Sequence, residues 1–321
     1  MAARATRSAS RRTRVTEAVA SGPLGALSHD ELGVIFDGLA DPLQPAVAVA
    51  LSSTCLGLRT PLRAALELLA QRHTAAKGLC RTAFLIRTNS DECAPTTCAS
   101  MRVAKDLFWF GTSFTAADLS TLGMILRTNG LPSLTGLFVC DVGAGTMVMQ
   151  TLCEGLRLGG ATSLKELGLQ VNAIGPAGAE ALAAALRGGA LPKLERLMLY
   201  SNPIGSRGFA ALAVPLRKLS ALKELHLSQT ELDDEGLASL FGNLGKDDFK
   251  ALESICLSSS ENTRGHNKLG GKGYATLISV LDGEAMPKLE RLVLSANCAW
   301  QAGLRQAAIR RHVELVFAPP M

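Results

Sequence analysis

The stretch Leu164-Lys-Glu-Leu167-Gly-Leu169-Gln-Val-Asn172-Ala-Ile174 decides the fold. Counted from Leu164, its marked residues stand at offsets 0, 3, 5, 8 and 10, and Gly178, Leu182 and Leu186 follow at offsets 14, 18 and 22. Offsets 3 and 5 differ by two, so those side chains leave one face of a strand. Offsets 14, 18 and 22 differ by four and share one face of a helix. The helix is spelled out by Gly175-Pro176-Ala-Gly-Ala-Glu-Ala-Leu-Ala-Ala-Ala-Leu-Arg-Gly-Gly189. Pro176 suits a first turn, the alanine run has high helix propensity, and Gly188 ends it.

The same offsets return from Leu194, with Leu197, Leu199, Asn202, Ile204, Gly208, Leu212 and Leu216, and from Leu222, with Leu225, Leu227, Thr230, Leu232, Gly236, Leu240 and Leu244. Weaker copies start at Ala104, Leu134, Leu252 and Leu289, and the copy from Leu252 resumes seven residues late at Leu269. The starts are spaced by 30, 30, 30, 28, 30 and 37 residues. One strand and one helix cannot bury both of their apolar faces alone, so the units must stack. The expected fold is therefore α/β: a solenoid of seven units over residues 104–317, bent as a horseshoe. Its parallel sheet lines the concave face, its helices form the convex face, and His312–Phe317 reads as a short closing strand. Asn172, Asn202 and Asn297 turn the chain out of the strand, their amides satisfying backbone groups that the turn leaves open. Thr112, Val142, Thr230 and Ser260 stand at that offset in the other units.

This pattern resembles the ribonuclease-inhibitor subclass of leucine-rich-repeat proteins, whose repeats are of similar length and hold true helices. The resemblance covers about two-thirds of the chain and implies a binding scaffold. Partners would meet offsets 4 and 6, which leave the strand on the face opposite the buried leucines. Offset 4 reads Phe108, Phe138, Gly168, Met198, His226, Cys256 and Val293. Offset 6 reads Phe110, Cys140, Gln170, Tyr200, Ser228, Ser258 and Ser295. An aromatic and sulfur-rich half gives way to a small polar half. Phe108, Phe110, Phe138, Gln170, Met198, Tyr200 and His226 are the candidate contact residues, because exposed apolar patches mark interaction surfaces. The alternative is that residues 60–103 fold back over the phenylalanines. Charge alternates in sign further along offset 2 (Asp106, Glu166, Arg196, Glu224, Arg291), either as a register for a partner or as ordinary solvated charge.

Residues 23–70 fall outside the repeat and read as a small helical segment, with 71–103 as a connector or cap. Ser28 with Glu31 three residues later is a capping box, and Leu27 with Leu32 is a hydrophobic staple. Leu32, Ile35, Phe36 and Leu39 then mark one apolar helical face, broken by Asp41-Pro42. Leu27, Ile35, Phe36, Leu39 and Cys55 match the register of an F-box, which the segment resembles. Ser28, Asp30, Glu31 and Leu58 depart from that motif. An F-box ahead of leucine-rich repeats implies a substrate adaptor of a cullin-based ubiquitin ligase. It would bind a Skp-type adaptor through Leu27, Leu32, Ile35, Phe36 and Leu39, and a ubiquitination substrate on the repeats. The plainer alternative is a helical lid on the solenoid. A Ran-type GTPase-activating protein uses the same repeat subclass and is the second functional alternative. The chain ends Ala-Pro-Pro-Met, without the acidic tail of that family.

The formal charge is +5, of which residues 1–22 carry +4 through Arg4, Arg7, Arg11, Arg12 and Arg14 against Glu17. That segment reads as a solvated basic tail or as a plastid or mitochondrial transit peptide. The nearly neutral remainder offers no nucleic-acid-binding surface. No apolar run is long enough to span a bilayer. Eight cysteines without a Cys-x-x-Cys pair suggest free thiols in the cytoplasm or nucleus. The five histidines (29, 73, 226, 266, 312) have no nucleophile or metal partner at recognisable spacing. Leu269-Gly-Gly-Lys-Gly273 lacks the hydroxyl residue of a phosphate loop. The sequence thus points to a monomeric protein-binding scaffold, with no catalytic residue, metal or cofactor expected.

Overall fold

The computed structural model describes residues 27–54, 62–83, 97–111, 114–143, 145–157, 161–259, 265–295 and 301–318. The basic tail, Cys55, Leu58, Thr112, Ser260 and Asn297 lie outside them. The chain forms two compact units, Met1–Gly78 and Leu79–Met321.

In the first unit α1 runs His29–Leu39, α2 Ala46–Thr54 and α3 Arg63–Thr82, the last passing through residue 70 and into the second unit. The α1 capping box forms: Glu31 N donates to Ser28 Oγ at 3.2 Å, and Ser28 N donates to Glu31 Oε2 at 2.8 Å. Leu43 N donates to Asp41 Oδ1 at 2.8 Å, closing the turn that stops α1. Leu32, Phe36, Ala40, Ala48, Leu62 and Leu69 make a small core, with Leu27 packed against it.

The second unit continues through α4 (Cys98–Arg102), β1 (Asp106–Phe110), α5 (Ala116–Arg127), β2 (Gly136–Cys140) and α6 (Gly145–Arg157). The strand–helix alternation goes on with β3 (Glu166–Gly168), α7 (Pro176–Arg187), β4 (Arg196–Met198), α8 (Gly205–Arg217), β5 (Glu224–His226) and α9 (Asp234–Phe241). It ends with β6 (Ser254–Cys256), α10 (Gly271–Asp282), β7 (Arg291–Ser295), α11 (Gln301–Arg311) and β8 (Glu314–Ala318). The eight strands form one sheet in chain order, and every neighbouring pair is parallel. Register follows the repeat. Leu107, Leu137, Leu167, Leu197, Leu225, Ile255 and Leu292 lie side by side, all buried between sheet and helices. This is a leucine-rich-repeat solenoid with a closing strand.

Polar side chains seal the turns. Asn172 Nδ2 donates to Val139 O (2.6 Å) and Leu169 O (3.0 Å), while its Oδ1 accepts from Val142 N (3.0 Å). Asn202 does the same one unit on, bonding the carbonyls of Leu169 and Leu199 and the amides of Asn172 and Ile174. In the sixth unit the role falls to Asn267. Its Nδ2 reaches Leu227 O (2.9 Å) and Leu257 O (3.0 Å), and its Oδ1 accepts from Thr230 N (2.9 Å) and Leu232 N (3.1 Å). The seven extra residues therefore precede the asparagine position. At Thr230 the ladder is thinner: its hydroxyl bonds Leu227 O and Asn267 Oδ1 but reaches no carbonyl of the preceding unit, and Ile204 N turns back on Asn202 O.

Candidate partner-binding face

Offsets 4 and 6 line the side of the sheet opposite the helices, and the structure divides that face into two chemically distinct halves. In the N-terminal half the Phe108 and Phe138 rings stack with centroids 4.1 Å apart and planes 5° from parallel. Phe138 is buried because it lies flat over a glycine seat. A Cβ on Gly168 would come within 2.5 Å of its ring, and one on Gly136 within 2.9 Å. Gly168 thus serves the face by leaving room for its neighbour's ring. Phe110 extends past the stack with 69% of its surface open, the most exposed aromatic of the candidate set. Phe108, Gln170, Met198, Tyr200 and His226 are half-buried.

Cys140, Gln170 and Tyr200 meet at offset 6. Burial pushes the Cys140 thiol up to about 12. Burial also raises the Tyr200 phenol, the Cys140 charge adds to that, and a hydrogen bond with the Gln170 side chain works against it. Gln170 Oε1 is buried and has no hydrogen-bond partner among the described residues. A buried acceptor left open costs about 1–3 kcal/mol.

The C-terminal half is ionic and polar. Arg196 bridges two units, with Nη1 3.0 Å from Glu166 Oε2 and Nε and Nη2 2.9 and 2.8 Å from the Glu224 carboxylate. One position earlier, Glu195 takes Lys165 and Lys223 at 2.8 Å each. The alternating charges are therefore spent mostly on each other across the strands. His226 Nε2 lies 3.2 Å from Glu224 Oε2, and Cys256 is the register neighbour of His226 on β6. No spacing rule brings His226 and Cys256 together, because they stand 30 residues apart. Their shared offset in adjacent units is the signal that could have done so.

In the first unit the residues proposed to meet an adaptor separate. Leu32 and Phe36 are core, with Phe36 1% exposed, and Leu27 packs on that core. Ile35 and Leu39 face outward, joined by Val34, Val47 and Val49. Val34 shows 74% of its surface. No group of His, Cys, Asp and Glu suited to a metal occurs among the described residues, and no helix there is long and apolar enough to cross a membrane.

The model of the Leucine Rich repeat family matches residues 160–183 and 218–241, two segments that fall on the third and fifth units. No curated protein matches the chain. Among solved structures, the crystal structure of the TLR13–ssRNA13 complex is 17% identical over 61% of this chain and 40% of that one, with a TM-score of 0.24. The chain thus spans well under half of that protein.

Proposed function

We propose that the protein is a non-enzymatic scaffold that captures another protein on the open face of its sheet. The observation that carries this is the aromatic cluster of the first strands. Phe110 stands exposed beside a stacked Phe108–Phe138 pair that the glycine seat holds rigid. A rigid aromatic anchor loses little conformational freedom on binding, and such residues dominate binding energy at protein interfaces. The repeat length and the full helices agree with the ribonuclease-inhibitor subclass.

The finer reading is an F-box-type adaptor. The first unit would dock a Skp-type adaptor of a cullin-based ubiquitin ligase, and the solenoid would hold the substrate. It is supported by the order of the two units and by the exposed aliphatic side chains Val34, Ile35, Leu39, Val47 and Val49 on α1 and α2. Leu32 and Phe36 are poor probes, since truncating them opens the core. The informative variant is Val34→Asp with Ile35→Asp, whose side chains face solvent. Purified Skp-type adaptor should bind the wild type and lose at least tenfold in affinity for the double variant at unchanged circular dichroism. Failure of the wild type to bind removes the adaptor reading. The scaffold is tested separately by Phe110→Asp, which should release partners recovered by affinity purification. If every recovered partner binds this variant as before, the aromatic cluster is not the contact zone.

A further inference from the structure

His226 and Cys256 are register partners on β5 and β6, and both are half-buried. Ser228 Oγ lies 3.1 Å from Cys256 Sγ and 3.1 Å from Ser258 Oγ, which is itself 3.5 Å from the sulfur. His226 stands beside the thiol in register across the two strands, and its Nε2 lies 3.2 Å from Glu224 Oε2. Among the described residues, the charged groups on the neighbouring strands are engaged elsewhere. On β4, Arg196 is engaged by Glu166 and Glu224. On β7, Val293 pairs beside Cys256, and Arg291 pairs beside Ser254 with its guanidinium 3.2 Å from Glu314. Two hydroxyls in contact with the sulfur, a neighbouring imidazole and a carboxylate bonded to that imidazole form surroundings in which a thiolate persists and reacts.

We propose that Cys256 is a covalent modification site for low-molecular-weight disulfides, with His226 taking and returning the proton and Glu224 positioning the ring. His226 accepts the thiol proton, and the Cys256 thiolate attacks one sulfur of the small disulfide. The Cys256 sulfur–sulfur bond forms as the disulfide's own bond breaks. The Cys256 sulfur is oxidised, the departing sulfur is reduced to a thiolate, and the imidazolium returns the proton to it. Burial alone would raise the Cys256 thiol, but hydrogen bonds with His226, Ser228 and Ser258 outweigh it and bring it down to about 7. Interaction with Cys256 raises His226 in turn, burial works against it, and the bond to Glu224 adds to the rise. Cys140 and Cys153 lack such partners, and burial pushes both up to about 12. They serve as internal controls. The site rests on the geometry of β5 and β6 and stands whether or not a protein partner binds this face.

The test is exposure of the full chain to glutathione disulfide between pH 6 and 9, with adducts read per cysteine by peptide mass spectrometry. Cys256 should be modified with a half-maximal rate near pH 7, while Cys140 and Cys153 stay free. In His226→Gln the midpoint should move toward the ordinary thiol range. The thiolate fraction at pH 7 then falls about 50-fold, but nucleophilicity rises about tenfold with basicity, so the rate drops about fivefold. Ser228→Ala and Glu224→Gln should move the midpoint the same way by less, and they keep the test open if His226→Gln does not fold. Modification of Cys256 no faster than of Cys140 and Cys153, or a midpoint unmoved in all three variants, overturns the proposal.

Discussion

Val171 carries a β-branched side chain at φ 59°, a conformation costly for any L-residue and worst for one branched at Cβ. It is not an isolated accident. Asp141, Ser201 and Gln229, each just before the asparagine offset, hold φ of 53°, 57° and 54°. The left-handed residue swings the chain out of the strand while its own N–H still bonds the next unit, as Val171 N does to Tyr200 O at 3.2 Å. The offset pattern of leucines does not disclose this, because a glycine, Gly111 at φ 88°, marks the position in the first repeat alone. Val171 is 41% exposed, so its side chain contributes little burial. Val171→Asn should therefore stabilise the fold by about 1 kcal/mol, since Asn tolerates the left-handed region. Urea unfolding with an unchanged slope would show it. A loss of stability would mean that the side chain matters more than the backbone.

At the scale of elements, α5 and α6 approach so closely that only glycine fits. A Cβ on Gly155 would meet Gly123 O at 2.5 Å and its Cα at 2.8 Å. Both neighbours are backbone, which cannot rotate away. Gly155→Ala should cost about 2 kcal/mol through overpacking, against its favourable helix propensity. Gly33→Ala in α1, with open space around it, should instead gain up to about 1 kcal/mol. Thermal unfolding of the two variants separates the effects, and a neutral Gly155→Ala would mean that the helices part easily. Most elements were legible in the sequence: the α1 capping box, the α7 helix between Pro176 and Gly188, and the leucine register all follow from local pattern. The insertion was not. Seven extra residues can fall on either side of the asparagine offset, and only the bonds of Asn267 to the Leu227 and Leu257 carbonyls decide which.

For the solenoid as a whole, stability passes from each unit to the next, and part of that link is electrostatic. Lys165, Glu195 and Lys223 tie three units together in one row, and Glu166, Arg196 and Glu224 tie the same three in the next. Hydrogen bonds from Lys165 and then Lys223 hold the Glu195 carboxyl at about 2, down from 4.5. The folded chain thus keeps this charge to a lower pH than the unfolded chain does. Its contribution is complete above about 4.5 and disappears as pH falls to about 2. Glu195→Gln should lower the melting temperature near neutrality and flatten its decline through that window, the two proteins converging at the acid end. Parallel declines would show that Glu195 titrates as an isolated carboxylate. The pairing itself was only half legible, since alternation of sign at offset 2 is equally compatible with charges that face a partner.

The sequence by itself determined the architecture. A repeat with a strand period of two and a helix period near four can bury its leucines only by stacking, so class, register and core follow from spacing. It also marked Phe108, Phe110 and Phe138 as neighbours on one face. The tertiary structure decided what those neighbours do. Phe138 sinks over Gly168 while Phe110 stays exposed, Arg196 pairs with Glu166 and Glu224 at offset 2, and Cys256 gains Ser228 and Ser258 at its sulfur with His226 beside it in register. Spacing tells which residues share a row. Reactivity and exposure depend on ångström distances between side chains of adjacent units, and only the packed sheet sets those distances.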